Sequence, residues 1–346
     1  MTPGSAAWDE FFGHYPVLFK NGADIVKINP NNFGQDINGN TIDITSGSAG
    51  DVMIAFPRHG LRMSKSGDIV TVSMTDNPNN PDFKYYAHSR GSTLKDKLYI
   101  GAYMGSEIDG KLRSLSGKLP SNNKSIVEFR TLARTNTPAS NGNGGSGYDQ
   151  MSFYPLTYLQ AMYVLKYKNL NSQEVIGTGY NNPEPSDNST KHTGETETWG
   201  MDKENGEVTN STKHVKLFGI EDMWGNIHEW IDGIYCLLQC EYTTTQNFND
   251  ETIYINQGET HVTSQVWSHI KEIIGTSELG FCLDKGAGSS STYYCDWGTI
   301  PPNSPTKYWM AYGSNVSNSN VGIFFWNQQY TSDQSRASFS SRLVYL

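Results

Sequence analysis

The chain has 346 residues, with 26 Lys and Arg against 35 Asp and Glu, a formal charge of −9. That balance excludes a phosphate-neutralising nucleic-acid binder, which needs a dense basic face. Eight Trp, 20 Tyr and 14 Phe can build a large core and exclude a disordered chain. No apolar run reaches the ~18 residues of a membrane-spanning helix.

Residues 1–46 are polar and turn-rich, and no role follows from them. Apolar patches at 8–12 and 15–19 mark a short N-terminal element. Residues 51–56 read as one strand of a hairpin. Val70, Val72 and Met74 alternate on its partner, and residues 64–67 make the turn. Residues 98–103 and 112–115 form a further pair through 108–111. Ser125 and Glu128 are spaced as a capping box before a helix that carries Ile126, Phe129, Leu132 and Ala133 on one face. Residues 136–147, rich in Gly, Asn and Ser, read as an exposed loop. A second helix is expected over 156–168.

Residues 181–214 hold only three strongly apolar side chains, Trp199, Met201 and Val208, and read as a polar surface insertion. A small hairpin is expected over 251–263 and a short helix over 270–274. From Phe281 onward the chain reads as short strands and polar loops. Cys236, Cys240, Cys282 and Cys295 show no C-x-x-C spacing, which fits synthesis in a reducing bacterial-type cytoplasm. Residues 1–10 have neither a basic n-region nor an apolar h-region, so a secretory signal is not expected. The fold class is α+β, with short, mostly antiparallel strands, two main helices and long loops.

Residues 219–230 pack two glycines, two tryptophans and four oxygen-bearing side chains into twelve positions. Two readings stay open. Trp224 and Trp230 are core anchors around a tight Gly225-Asn226 turn, or Asp222 and Glu229 hold a hard cation together with backbone carbonyls. The segment resembles the signature of formylglycine-generating-enzyme-type C-type lectin folds. That resemblance implies a C-type-lectin-like domain over 47–346 and a structural Ca²⁺ site made by the side chains of Asp222 and Glu229 with the carbonyls of Gly225 and Ile227. The oxidase chemistry of that family needs a C-x₄-C pair, and neither Cys282/Cys295 nor Cys236/Cys240 has that spacing.

Residues 308–346 hold nine aromatic side chains but only three charged ones, Asp333, Arg336 and Arg342. Rigid rings set among Ser, Asn, Gln and Gly are the mixture found in antibody paratopes, and equally that of an aromatic β-core with polar turns. With Gly322-Ile-Phe-Phe-Trp-Asn327 and Ser341-Arg-Leu343, this segment resembles the variable region of diversity-generating-retroelement target proteins. The resemblance implies a scaffold at Gly313, Gly322, Phe324, Ser341, Arg342 and Leu343. It places outward, varied positions at Ser314, Ser317, Phe325, Asn327, Gln329, Tyr330, Gln334, Arg336 and Ser338. Trp309 and Tyr312 join these as aromatic anchors. Residues 51–57, 99–103, 129–134 and 147–153 are similar to phage tail proteins of this fold.

These resemblances imply a non-enzymatic receptor-binding protein of a phage or prophage tail. Its diversified C-terminal face would bind a host cell-surface protein or polysaccharide, and its other partners would be virion tail proteins. They imply no membrane insertion and no organic cofactor, and allow a homo-oligomer, as a trimer, although no heptad repeat enforces one. The alternatives are a variable lectin-type protein on the bacterial surface and a sulfatase-modifying-type oxidase.

Overall fold

The structure, a computed structural model, describes residues 1–90, 93–136, 147–181, 190–203, 213–237, 241–246, 254–259, 267–291, 294–301, 304–314 and 320–346. Among these the chain is α+β, with many short, mostly antiparallel strands and four helices.

The strand Asp51–Pro57 is buried at six consecutive positions. A strand apolar on both faces belongs in a sheet interior. It lies between Tyr15–Lys20 and Lys97–Gly101, antiparallel to both. The whole sheet runs Tyr148–Gln150, Leu343–Tyr345, Lys97–Gly101, Asp51–Pro57, Tyr15–Lys20, Ala23–Asn29, Asn32–Asp36. Residues 1–46 therefore supply three strands of this sheet and the helix Ala6–Phe12, which buries Trp8 and Phe12.

The expected hairpin between 51–56 and 70–74 does not form. Ile69–Thr75 pairs instead with Gly60–Ser66. That strand buries Leu61 and Met63 and exposes Arg62 and Ser64, the alternation of a two-faced hairpin. Residues 98–103 and 112–115 also separate. Lys97–Gly101 joins the large sheet, while Lys111–Arg113 pairs with Ser106–Ile108.

The second sheet runs Ile255–Asn256, Glu241–Thr244, His228–Leu237, Tyr308–Tyr312, Trp326–Tyr330, Trp297–Thr299, Ser268–His269. Phe339–Ser340 adds to His228–Leu237 in parallel. The hairpin expected over 251–263 is described only in part, and its Ile255–Asn256 pairs with Thr243 and Thr244. Residues 270–274 are not helical. Glu272–Ile273 is a strand paired with Leu283–Lys285; three isoleucines within five residues are too short a pattern to show a helical period.

Both expected helices are present. Ile126–Arg134 begins at the Ser125/Glu128 capping box, and Arg130 ties it to the second sheet through a bidentate pair with Asp232 at 2.7 and 3.0 Å. Phe153–Tyr167 starts three residues earlier than expected. Nearly every position is buried, so it is a core helix rather than a two-faced surface one. Among the described residues no helix is long and apolar enough to cross a membrane.

The insertion 181–214 is described at 181, 190–203 and 213–214. There it is anchored by polar contacts: Thr193 Oγ1 donates to the Leu115 carbonyl, and the Gly194 and Thr196 amides donate to Glu221.

Candidate functional site

The C-terminal segment crosses the second sheet as Tyr308–Tyr312, turns, and returns as Trp326–Tyr330 beside it. Burial, with alternation broken by a register shift between Trp309 and Ala311, divides the candidate residues into two sets. Trp326, with its Nε1–H on Gln328 Oε1, faces the core against Phe153 and Tyr242. Trp309, Gln329 and Tyr330 stay half-buried on the other side, with Asn327 beside them.

Register builds a row of rings there. Tyr235 pairs with Trp309, and Trp309 with Tyr330. The rings of Tyr235 and Trp309 lie 5.3 Å apart, and Tyr254 stacks on Tyr235 at 5.1 Å. Lys307 sets its ammonium 4.9 Å from the Tyr235 ring, and Arg336 its guanidinium 5.2 Å from the Tyr330 ring. Cations over aromatic faces hold the rings in place while keeping a charge in solvent. The Tyr330 hydroxyl accepts from the side-chain amides of Asn327 and Gln329, both at 3.2 Å. The backbone of Arg336 is docked on residues 123–124, just ahead of the helix Ile126–Arg134, with the Asn123 amide donating to its carbonyl. The loop carrying Gln334, Arg336 and Ser338 is therefore held to the row.

Of the expected binding positions, Trp309, Gln329, Tyr330, Gln334, Arg336 and Ser338 come together here, and Asn327, itself buried, reaches them through its side-chain amide on Tyr330. Tyr312, Ser314 and Phe325 do not join them: all three are buried. Tyr312 faces the interior because it alternates with Ala311 and pairs with Glu229 in the middle of the sheet. Phe325 packs with His228, their rings 6.0 Å apart. Ser317 lies outside the described residues. Sequence reasoning missed Tyr235 and Tyr254, which come from elsewhere in the chain. The available signal was Tyr235 in the apolar run that continues the Gly219–Trp230 segment.

That segment turns through positive φ at Asp222, Gly225 and Asn226 and buries both tryptophans. A side chain at Gly225 would place Cβ 2.7 Å from the Tyr180 amide nitrogen, so the turn requires glycine. The residues expected to hold calcium are committed to other partners. Asp222 Oδ2 accepts from His214 Nδ1 at 2.8 Å and from Asn226 Nδ2 at 3.0 Å. The Gly225 carbonyl accepts the Ile227 amide at 2.8 Å. Glu229 Oε2 faces Arg342 Nε at 3.3 Å, and only its Oε1 is buried without a donor. Arg342 Nη2 also donates to the carbonyls of Glu221 and Asp222. The guanidinium thus brings to this place the positive charge that an ion would bring, and of the two carboxylates only one oxygen lacks a donor, against the six to eight oxygens that Ca²⁺ takes. EDTA should leave the melting temperature unchanged in a thermal scan. A fall of several degrees that Ca²⁺ restores would show that these residues rearrange around an ion.

His214, Glu221 and Asp222 present ligand atoms within 4.8 Å of one another. Both Glu221 oxygens are taken, Oε1 by the Gly194 amide and Oε2 by the amide and hydroxyl of Thr196. Burial works to lower the pKa of His214, but the Asp222 carboxylate beside it overcomes that and raises it to about 9. The cluster serves to anchor the insertion.

Cys236, Cys282 and Cys295 are buried; Cys240 lies outside the described residues. Burial pushes the thiols of Cys282 and Cys295 up, away from the thiolate form that nucleophilic or redox work needs. No protein-family model matches the chain, and no curated protein sequence matches it.

Proposed function

We propose that this chain is a non-enzymatic binding protein with a C-type-lectin-like fold, acting as the receptor-binding component of a phage or prophage tail. The ring row Tyr254–Tyr235–Trp309–Tyr330, flanked by Lys307 and Arg336, carries this reading. Trp, Tyr and Arg are the residues in which interface energy concentrates. Rings fixed by the sheet lose little freedom on binding, and the surrounding Asn, Gln and Ser supply adaptable hydrogen bonds. The burial that pushes the Cys282 and Cys295 thiols up supports a non-enzymatic role. The ligand is a host cell-surface protein or polysaccharide. Tyr235, itself buried, backs the row with its faces against Tyr254, Trp309 and Lys307, which leaves Tyr254, Trp309 and Tyr330 to make the contact.

Sequencing codons 308–346 across a natural population, with the adjacent DNA, tests the proposal. Substitutions should gather at Trp309, Gln329, Tyr330, Gln334 and Arg336 and spare Gly322, Ser341 and Arg342. Invariant codons with no template repeat or reverse transcriptase nearby would overturn it. In binding to whole host cells, Trp309→Ala should weaken retention by roughly 30-fold or more, the scale of a hot spot of about 2 kcal/mol. Ser338→Ala, at the rim, should change it little.

A further inference from the structure

A cleft of about 490 Å³ opens away from the aromatic row, between the hairpin Gly60–Ser66/Ile69–Thr75, the C-terminal end of the helix Phe153–Tyr167, and the strand pair Glu272–Ile273/Leu283–Lys285. Its size is that of a small-molecule site. Val72, Val164 and Phe281 give it an apolar floor, and Lys65, Lys168 and Lys271 reach its wall.

The charges sort into spent and unspent. Lys65 donates to Glu272, Asp284 and the Ile273 carbonyl at 3.0–3.3 Å. Glu272 is further held by Lys285 at 2.8 Å. These groups neutralise one another. Lys168 rests its ammonium 4.8 Å from the Trp8 ring, a contact that leaves its charge uncancelled. Among the described residues neither Lys168 nor Lys271 pairs with a carboxylate, and both are exposed. Against these two cations the lining offers one unspent carboxylate, Asp68, in the hairpin turn.

An apolar floor under two unpaired ammonium groups selects a ligand with two halves. We propose that the cleft binds a small amphipathic anion, a carboxylate or sulfonate on an apolar body. The body lies on Val72, Val164 and Phe281, and the acidic head meets Lys168 and Lys271. The site is independent of the aromatic row and of the function proposed for it.

The test is fluorescence titration of the full chain with 1-anilinonaphthalene-8-sulfonate, followed by competition. The dye should bind at one saturable site, and decanoate should displace it while decanol does not. Lys168→Glu with Lys271→Glu should weaken the dye by roughly tenfold, the scale of two partly exposed charge pairs. Both side chains are exposed, so the melting temperature should hold. Asp68→Asn should tighten binding, and Val72→Trp should block it by filling the floor. Equal displacement by decanol, unchanged affinity in the folded double variant, or no saturable site would each overturn the proposal.

Discussion

Arg342→Ala should lower the unfolding free energy by about 3–5 kcal/mol, the scale for breaking a buried ion pair from one side. The side chain is 1% exposed. Its guanidinium spans three parts of the molecule: the Gly101 carbonyl in the first sheet, Glu229 in the second, and the Glu221 and Asp222 carbonyls of the turn between them. Removing it strands a buried carboxylate and three acceptors together. Domains of this kind have only ~5–15 kcal/mol to lose. Urea denaturation of the purified variant reads the effect, and a loss under about 1 kcal/mol would contradict it. Arg342→Lys should recover little, because one ammonium cannot reproduce a fork that serves four acceptors. Glu229→Gln should cost less than Arg342→Ala, since the guanidinium keeps its three carbonyls.

His14→Phe should flatten the loss of stability on acidification and raise stability at neutral pH. The imidazole lies parallel to the Phe56 ring at 5.7 Å and edge-on to Phe218 at 5.4 Å. Both ring nitrogens are buried without a partner, although the residue as a whole is half-buried. Burial lowers its pKa from 6.5 to about 4, against the pull of Asp9. The unfolded chain therefore takes the proton first. The contribution of neutral His14 is complete above pH 6.5 and disappears as pH falls toward 4, a difference of about 3 kcal/mol. His88, lowered by burial to about 3, acts in the same sense. Asp296 and Asp149, which burial raises to about 7 and about 6, act oppositely: their cost grows as pH rises through 4–7. The wild-type profile mixes these effects, and the difference between wild type and variant isolates His14. Phe fills the same slot and removes two unsatisfied nitrogens, a gain of about 1 kcal/mol at pH 7. Melting curves from pH 7 to 4.5 that run parallel for the two proteins would sink the assignment.

Local rules were readable in the sequence, and pairings were not. The capping box at Ser125 and Glu128 involves one turn of chain, so its spacing announces it. The helix Phe153–Tyr167 is apolar for so long that only its start was misjudged. Asp51–Pro57 was recognisable as a strand, yet its partners lie 32 or more positions away, where no adjacent turn could reveal them. The candidate site divides in the same way. Composition brought out Trp309, Tyr330 and Arg336. The burial of Tyr312 depends on its pairing with Glu229 across the sheet, and Ser314 and Phe325 are buried just outside the strands, which no local pattern reveals. Arg342 illustrates the limit: nothing near it in sequence shows that it reaches Gly101 and Glu229.

The strand Leu343–Tyr345 also governs how the chain can be made. It closes the first sheet between Lys97–Gly101 and Tyr148–Gln150, and Arg342 seals it onto Gly101 from 241 residues away. During translation the edge of Lys97–Gly101 waits on the order of 10–50 s for that partner, at roughly 5–20 residues per second. Everything from 308 to 338 must be synthesised, in frame, before the wait ends. A premature stop or frameshift within that stretch leaves an open sheet edge, the kind of surface that chaperones and proteases act on. Closure of the first sheet therefore depends on a strand translated after the segment that carries the aromatic row, so a frameshift within that segment also leaves the edge of Lys97–Gly101 unpaired.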